Sequence, residues 1–582
     1  MSMLRKAQVL GLSVLLSLAG GALASAADIR LTTPQGQLLG EVGAEDGIAV
    51  FKGIPYAVPP VGVRRWKHAE PAPAWFSLRN AKTAGPACMQ MTMPETLTFG
   101  PGKTQPVLYF EPGDVTSEDC LYANVWTPAK GGEIKRAPAP VMVWIHGGGF
   151  VGGAGSSPNY DGTELAKKGV VVVSINYRLG IFGFFAHPEL SAEHGQGASG
   201  NYGVTDQVAA LKWVKANIAA FGGDPNNITI FGESAGSWAV SLQLATPLSE
   251  GLFHKAIGES GAYFYSMPDL KTAVNGMESG ETTGKSFGDK VAPGGLSGLR
   301  ALSGDALLLA SMTTPGAPSF GQFLVVDGYV LKRPVRETYL RGEQRAVPVM
   351  VGSNADEGSG LSDFGIVAVT PKDAATYVAQ VKARYGDLAP AYLKQYPATN
   401  LTDAVFNAYR DSEFGWRMEH WAGQMAAVKS PAWLYHFSHL SPTGETMRWV
   451  DFGGNQRRLG AFHASEIAYV FNNPQAQLRS SDKIKPADIA LADQMSSYWA
   501  NFAKTGNPNG AGLPEWKPYL DKDRRYMAFD ETSVPSVNLL PGRLELHRTI
   551  DTVRTQKSIP WNGGQAGLLG QTVLATVAAA AR

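Results

Sequence analysis

The apolar run Ile228-Thr229-Ile230-Phe231 passes directly into Gly232-Glu233-Ser234-Ala235-Gly236, and a helix-compatible stretch follows. A strand, then G-x-S-x-G, then a helix is the arrangement of a nucleophile elbow. Glycines flank the serine because the turn leaves no room for side chains. The serine itself is held in a strained conformation that lifts its hydroxyl clear of the sheet. If Ser234 is a nucleophile, the chain must also supply an oxyanion hole, an acid and a base, in a set order.

The rest of the pattern suits a sheet that can carry such a turn. Residues 141–145 and 170–176 are apolar runs that read as buried parallel strands. After Asp206 a helix pattern sets Val208, Leu211, Val214 and Ile218 on one face, and Phe221-Gly222-Gly223-Asp224-Pro225 ends it. Further strands are expected at residues 255–257, 347–351 and 432–437, and a late helix at 490–504. Strands alternating with helices imply a mostly parallel central sheet with helices on both faces. No internal repeat or linker interrupts the chain, so residues 27–561 read as one domain. Residues 267–320 are rich in Gly and Ser and are expected to form loops and helices inserted over one end of the sheet. Gly284-Lys285-Ser286 imitates the end of a phosphate loop. Ser279 stands where that loop needs glycine, and no buried strand precedes it, so the match reads as chance.

Both ends of the chain read as separate from this domain. Arg5 and Lys6, an apolar stretch over residues 9–23 and Ala24-Ser25-Ala26 form a secretory leader, residues 1–26, cleaved before Ala27. Export to a periplasm or the medium is therefore expected. Residues 562–582 form an apolar, alanine-rich tail, read as a loose helix or disorder and not as a membrane span. Hydrophobic residues make up 44% of the chain against 17% charged, and the formal net charge is +1 without long runs of one sign. That balance argues for a large core and against a nucleic-acid surface. Cys88 and Cys120 are the only cysteines. In an exported chain they are expected to pair, and closing that loop would contribute roughly 3–4 kcal/mol on a chain-entropy argument. Two cysteines without C-x-x-C make a structural zinc site improbable.

The chemistry needs more than the serine. His146-Gly147-Gly148-Gly149-Phe150 follows a buried strand and suits an oxyanion hole, with the N–H groups of Gly148, Gly149 and Ala235 as donors. The acid and then the histidine should follow the serine. Asp356 and Glu357 both lie just after the strand at 347–351, and spacing does not separate them. Asp327 is a third candidate, more simply read as a turn residue. His420, His436, His439, His463 and His547 lie beyond. His463, in a loop between a strand and a helix-like run, has the mobile, exposed position expected of a base.

At this point the motifs resemble a known family. Phe51-Lys52-Gly53-Ile54-Pro55-Tyr56-Ala57, Ser117-Glu118-Asp119-Cys120-Leu121, His146 to Phe150, Asn176-Tyr177-Arg178, Gly200-Asn201-Tyr202-Gly203 with Asp206-Gln207, Phe221 to Pro225 and Phe231 to Gly236 are similar to those of the type-B carboxylesterases, a branch of the α/β-hydrolases. The resemblance covers nearly the whole mature chain. It implies the α/β-hydrolase fold and a triad of Ser234, Glu357 and His463. It implies oxyanion donors at Gly148, Gly149 and Ala235, and a Cys88–Cys120 disulfide near the mouth of the site. It also implies structural ion pairs of Arg65 with Glu118 and of Arg178 with Asp206. Glu233 matches an acid beside the nucleophile in many members, and Ser260 resembles a buried serine near the triad. No tryptophan lies between Cys88 and Cys120, which argues against a choline ester.

The expected activity is hydrolysis of a small-molecule carboxylic ester through an acyl-enzyme, with no metal, cofactor or nucleic acid. The same machinery would serve an amide or carbamate. A non-catalytic binding protein of this fold is the reading from another class, and the complete set of triad residues argues against it.

Overall fold

The β-branched and aromatic runs read from the sequence become the middle of one large sheet. A computed structural model describes residues 27–43, 46–91, 115–130, 133–134, 137–318, 324–361, 371–451, 454–477 and 482–556. The leader (1–26) and the tail (562–582) lie outside the described residues. In chain order the main strands are β1 (Ala27–Thr33), β2 (Gly36–Val42), β3 (Ile48–Pro55), β4 (Tyr122–Lys130), β5 (Ala139–Ile145), β6 (Val171–Ile175), β7 (Gly223–Glu233), β8 (Lys255–Glu259), β9 (Val349–Asn354), β10 (Ala432–Phe437), β11 (Arg525–Phe529) and β12 (Ser533–Val537). They lie side by side in the order β1-β2-β3-β4-β6-β5-β7-β8-β9-β10-β11-β12. Every pairing from β6 to β11 is parallel, whereas β1 to β4 and the β11–β12 hairpin are antiparallel.

Side-chain alternation along the central strands builds a core on each face. Val141, Val143 and Ile145 of β5 face α1 (Tyr202–Asn217) and α2 (Ala235–Ala245), packing with Leu211, Val214, Ala239 and Leu242. Met142 and Trp144 point the other way, toward Leu491, Met495, Trp499 and Phe502 of α4 (Pro486–Thr505). Between these, α3 (Trp416–Gln424) lays Trp416, Met418 and Trp421 on the first face.

Helix α1 departs from the one-sided reading. It starts at Tyr202, ahead of Asp206, and is buried over most of its circumference, polar Asp206 and Gln207 included. A helix between a sheet and covering segments needs no solvent face. Helices Gly280–Val291, Gly295–Ala301 and Gly304–Thr313 occupy the expected insertion. Gly284 lies inside the first of them, where a Cβ would come within 1.7 Å of the Ala186 carbonyl oxygen. Close packing, not phosphate binding, accounts for that glycine.

Register brings the strand ends together. Gly232 pairs with Ile145, Glu233 with Glu259, Glu259 with Gly352, and Gly352 with Tyr435. The loops after β5, β7, β8 and β9 therefore open at one edge, the carboxyl ends of the parallel strands, where α/β sheets carry their sites.

Candidate active site

Ser234 sits between β7 and α2 with φ 57° and ψ −120°, a backbone conformation costly for any residue but glycine. Its amide donates to the Glu259 carbonyl at 2.8 Å, and its carbonyl accepts from the Trp238 amide at 2.9 Å. Those bonds help to hold the strained turn. The flanking glycines have steric causes. A Cβ on Gly232 would lie 2.5 Å, and on Gly236 2.0 Å, from the Ile145 carbonyl oxygen.

Glu357 and His463 meet across 106 residues of chain, with His463 Nδ1 2.6 Å from Glu357 Oε2. The other Glu357 oxygen accepts the Asn354 amide at 2.7 Å. Asp356 faces elsewhere. Its Oδ2 accepts from the Ala461 amide at 2.9 Å and its own amide donates to the Ala461 carbonyl, which ties the His463 loop to the end of β9. Asp327 closes a turn by accepting the amides of Tyr329 and Leu331. His439 is bound to Asp488, and His547 to Tyr396. His420 stacks on Trp416, while His436 is a buried residue of β10 whose pKa burial lowers to about 4.

His463 is not exposed, contrary to the reading from its loop. It is 1% accessible, and the Phe414 ring packs 5.0 Å from it. Phe414 projects from Asp411–Gly415, a π-helical turn entering α3. Such turns redirect side chains at sites of function.

Four buried glutamates gather about this imidazole. Glu233 Oε1 lies 3.3 Å from His463 Nε2, opposite the Glu357 contact. Ser260, itself at φ 53°, donates to Glu466 at 3.2 Å, and Asn354 Nδ2 bonds the other Glu466 oxygen at 2.5 Å. Trp499 donates its indole N–H to Glu259 at 2.8 Å. Burial alone would pull the His463 pKa down, but the Glu233 and Glu357 carboxylates override it and raise it to about 9. Burial, then the charges of Glu466 and Glu233, push Glu259 well above the carboxylate range. Burial and the Glu357 charge raise Glu466 as well. Glu259, Glu466 and Asn354 escaped the sequence reading, although Glu466 follows His463 by three residues and Glu259 adjoins Ser260.

The glycine loop lies against the elbow. Gly148 and Gly149 have φ of 94° and 65°, and a Cβ on Gly148 would approach the Gly152 carbonyl oxygen to 2.2 Å. The Tyr177 hydroxyl donates to the His146 carbonyl at 2.8 Å, and its ring stacks on the His146 ring at 4.4 Å. Ala235 opens α2, so its amide belongs to the positive end of that helix. Trp238, one turn further on, packs edge-on against Tyr263 and Tyr265, and Phe150 tilts against it.

The scaffold pairs are in place. Cys88 and Cys120 form a disulfide with their Cα atoms 4.9 Å apart. Arg65 binds Glu118 through Nε at 2.7 Å and reaches the Leu299 carbonyl. Arg178 grips Asp206 in a fully buried two-point contact of 2.8 and 2.6 Å. Among the described residues no group of three or more His, Cys, Asp or Glu is arranged to hold a metal. No helix among them is long and apolar enough to cross a membrane.

Comparison with known proteins extends this local geometry to the whole chain. The family model of the carboxylesterase family matches residues 27–546. The chain belongs to the carboxylesterase family. A fumonisin B1 esterase of Sphingopyxis macrogoltabida is 36% identical over 499 residues, covering 84% of each chain. A human cocaine esterase is 35% identical over 555 residues, covering 90% of each. Among solved structures, a Geobacillus stearothermophilus carboxylesterase superposes with a TM-score of 0.71 at 33% identity, over 89% of this chain and 99% of that one. A thermophilic PNB esterase gives the same TM-score at 31% identity. This carboxylesterase has the α/β-hydrolase fold and is a carboxylic ester hydrolase.

Proposed function

We propose that the enzyme is exported and hydrolyses small-molecule carboxylic esters through an acyl-enzyme on Ser234. The reading rests on one observation above all: a serine at φ 57° on a strand-to-helix turn, at the same sheet edge as an imidazole held at Nδ1 by a buried glutamate. His463 takes the serine proton as Oγ attacks the ester carbonyl. Glu357 holds the Nδ1–H tautomer and stabilises the imidazolium. The N–H groups of Gly148, Gly149 and Ala235 stabilise the oxyanion, each contributing roughly 100- to 1000-fold in rate. The alcohol leaves with the proton from His463, and water then releases the acid by the same route. Glu233 tunes the imidazole from the Nε2 side, and Ser260 acts on it only through Glu466. Residues 27–561 act as one catalytic domain behind a cleaved leader, and the disulfide suits an oxidising compartment.

The test is hydrolysis of p-nitrophenyl esters of increasing acyl length, extended to bulky and polycarboxylate esters, with Ser234→Ala as blank. Ser234→Ala should be folded and inactive. More than a few per cent of the wild-type rate in that variant would remove Ser234 as the nucleophile.

A further inference from the structure

We propose that His68 and His194 form a binding site for a divalent transition-metal ion such as Zn2+, separate from the ester-hydrolysing machinery. Their rings lie 4.5 Å apart between centroids with planes inclined at 60°. A tetrahedral ion bound to two imidazole nitrogens at about 2.0–2.1 Å each sets the ring centroids a little over about 5 Å apart, so the two rings would open by less than about 1 Å to take it.

Hydrogen bonding decides which nitrogens are free. The Thr205 hydroxyl donates its one proton to the Tyr202 carbonyl at 2.8 Å. Its oxygen therefore accepts from His68 Nδ1, 3.0 Å away. His68 thus carries its proton on Nδ1 and presents Nε2 as a bare lone pair. A ligating histidine is fixed in this way, by a hydrogen bond from its other nitrogen. His68 Nε2 and His194 Nδ1 are both buried and have no hydrogen-bond partner. A buried nitrogen without a partner is costly, and an ion between the rings, met by His68 Nε2 and the Nδ1-deprotonated tautomer of His194, would give both a partner.

The Arg178 charge is offset by its two-point contact with Asp206. Tyr202 and Tyr329 wall the pair, with Tyr329 4.9 Å from His194 and 5.5 Å from His68. His194 is half-buried and gives the ion a route in. The two imidazoles would supply two ligands, with water completing the coordination. An ion there ties the segment after Arg65 to the end of the Pro188–Glu193 helix.

Titration of the EDTA-treated full chain with ZnCl2 by calorimetry tests this, with the melting temperature as a second readout. Expected are one saturable site at submillimolar Zn2+, a raised melting temperature, and affinity weakened at least tenfold in both His68→Gln and His194→Gln. Thr205→Val, which frees Nδ1, should weaken it roughly 10-fold or more, as loss of a ligand-orienting partner does. Metal-free His194→Gln should hydrolyse esters at the wild-type rate, which certifies its fold. Absence of binding at 1 mM Zn2+ (on the order of the weakest useful metal sites), or binding unchanged in both histidine variants, would overturn the proposal.

Discussion

Glu233 adjoins Ser234 in the chain, yet its carboxylate turns to His463, with Oε1 3.3 Å from Nε2. The imidazole therefore has a buried carboxylate at each nitrogen. In the proposed mechanism Glu357 aligns the ring, and Glu233 competes for the nitrogen that a base must keep free.

That competition has a sign. The pair of carboxylates raises the His463 pKa to about 9, so the neutral ring becomes abundant only in alkaline solution. The ratio kcat/KM for p-nitrophenyl acetate should rise with pH along a limb well above the ordinary histidine value of about 6.5. Glu233→Gln removes one charge and should move that limb downward. The same shift bears on stability. The contribution of the charged ring is full below about 6.5 and is lost as pH rises through about 9. An acid limb at or below 6.5 that Glu233→Gln leaves unmoved would refute the account.

Glu357 and Asp356 are neighbours with different partners, and their amide variants should separate the proposed acid from the other. Glu357→Gln should lower kcat by roughly 10⁴-fold, because the histidine tautomer is then mispaired. Asp356→Asn weakens only the tie to the Ala461 amide, so its cost should fall mainly on stability, about 1 kcal/mol, with a modest loss of rate. Steady-state kinetics and thermal melting of both variants decide the assignment. A larger rate loss in Asp356→Asn would reverse it.

These two acids also mark where the sequence stops being informative. The strand before them is an apolar run, so its existence was legible, and strand 432–437 agrees with β10 residue for residue. Which adjacent acid reaches His463 depends on how the chain leaves β9, and only the family resemblance separated them beforehand. The antiparallel strands β1 and β2 lack the long apolar run that marks the central strands; their signal is the weaker one of apolar residues alternating with polar ones, which Gly36 and Gly40 dilute further in β2. Glu259 and Glu466 were missed for another reason. A glutamate is read as a surface residue by default, and its burial appears only once Trp499, Ser260 and Asn354 are seen to hold these two. Burial of His463 was equally hidden, since Phe414 covers it from a π-helical turn 49 residues earlier.

The disulfide should contribute stability more than chemistry. It joins Cys88, in the short strand Ala87–Cys88, to Cys120, two residues before β4. Cys88→Ser with Cys120→Ser should destabilise the enzyme by about 2–4 kcal/mol and lower its melting temperature. Dithiothreitol should do the same to the wild type and nothing further to the double variant. Unchanged melting in the variant would show that the bridge constrains nothing that matters to folding.

Gly148 offers the sharpest steric test of the oxyanion loop. Its φ of 94° strains any other residue, and an added methyl would press on the Gly152 carbonyl at 2.2 Å. The contact is backbone, so no side chain can rotate away. Gly148→Ala must therefore shift the loop and misplace a donor. Loss of one donor lowers kcat by roughly 100- to 1000-fold with KM less affected, since the donor binds the oxyanion more tightly than the ester carbonyl. Gly169→Ala is the control. It also has a positive φ, 87°, but its added methyl meets nothing within 4 Å, so it should cost stability and leave kcat unchanged. Equal rate losses in the two variants would show that backbone strain, and not the position of the Gly148 amide, sets the effect.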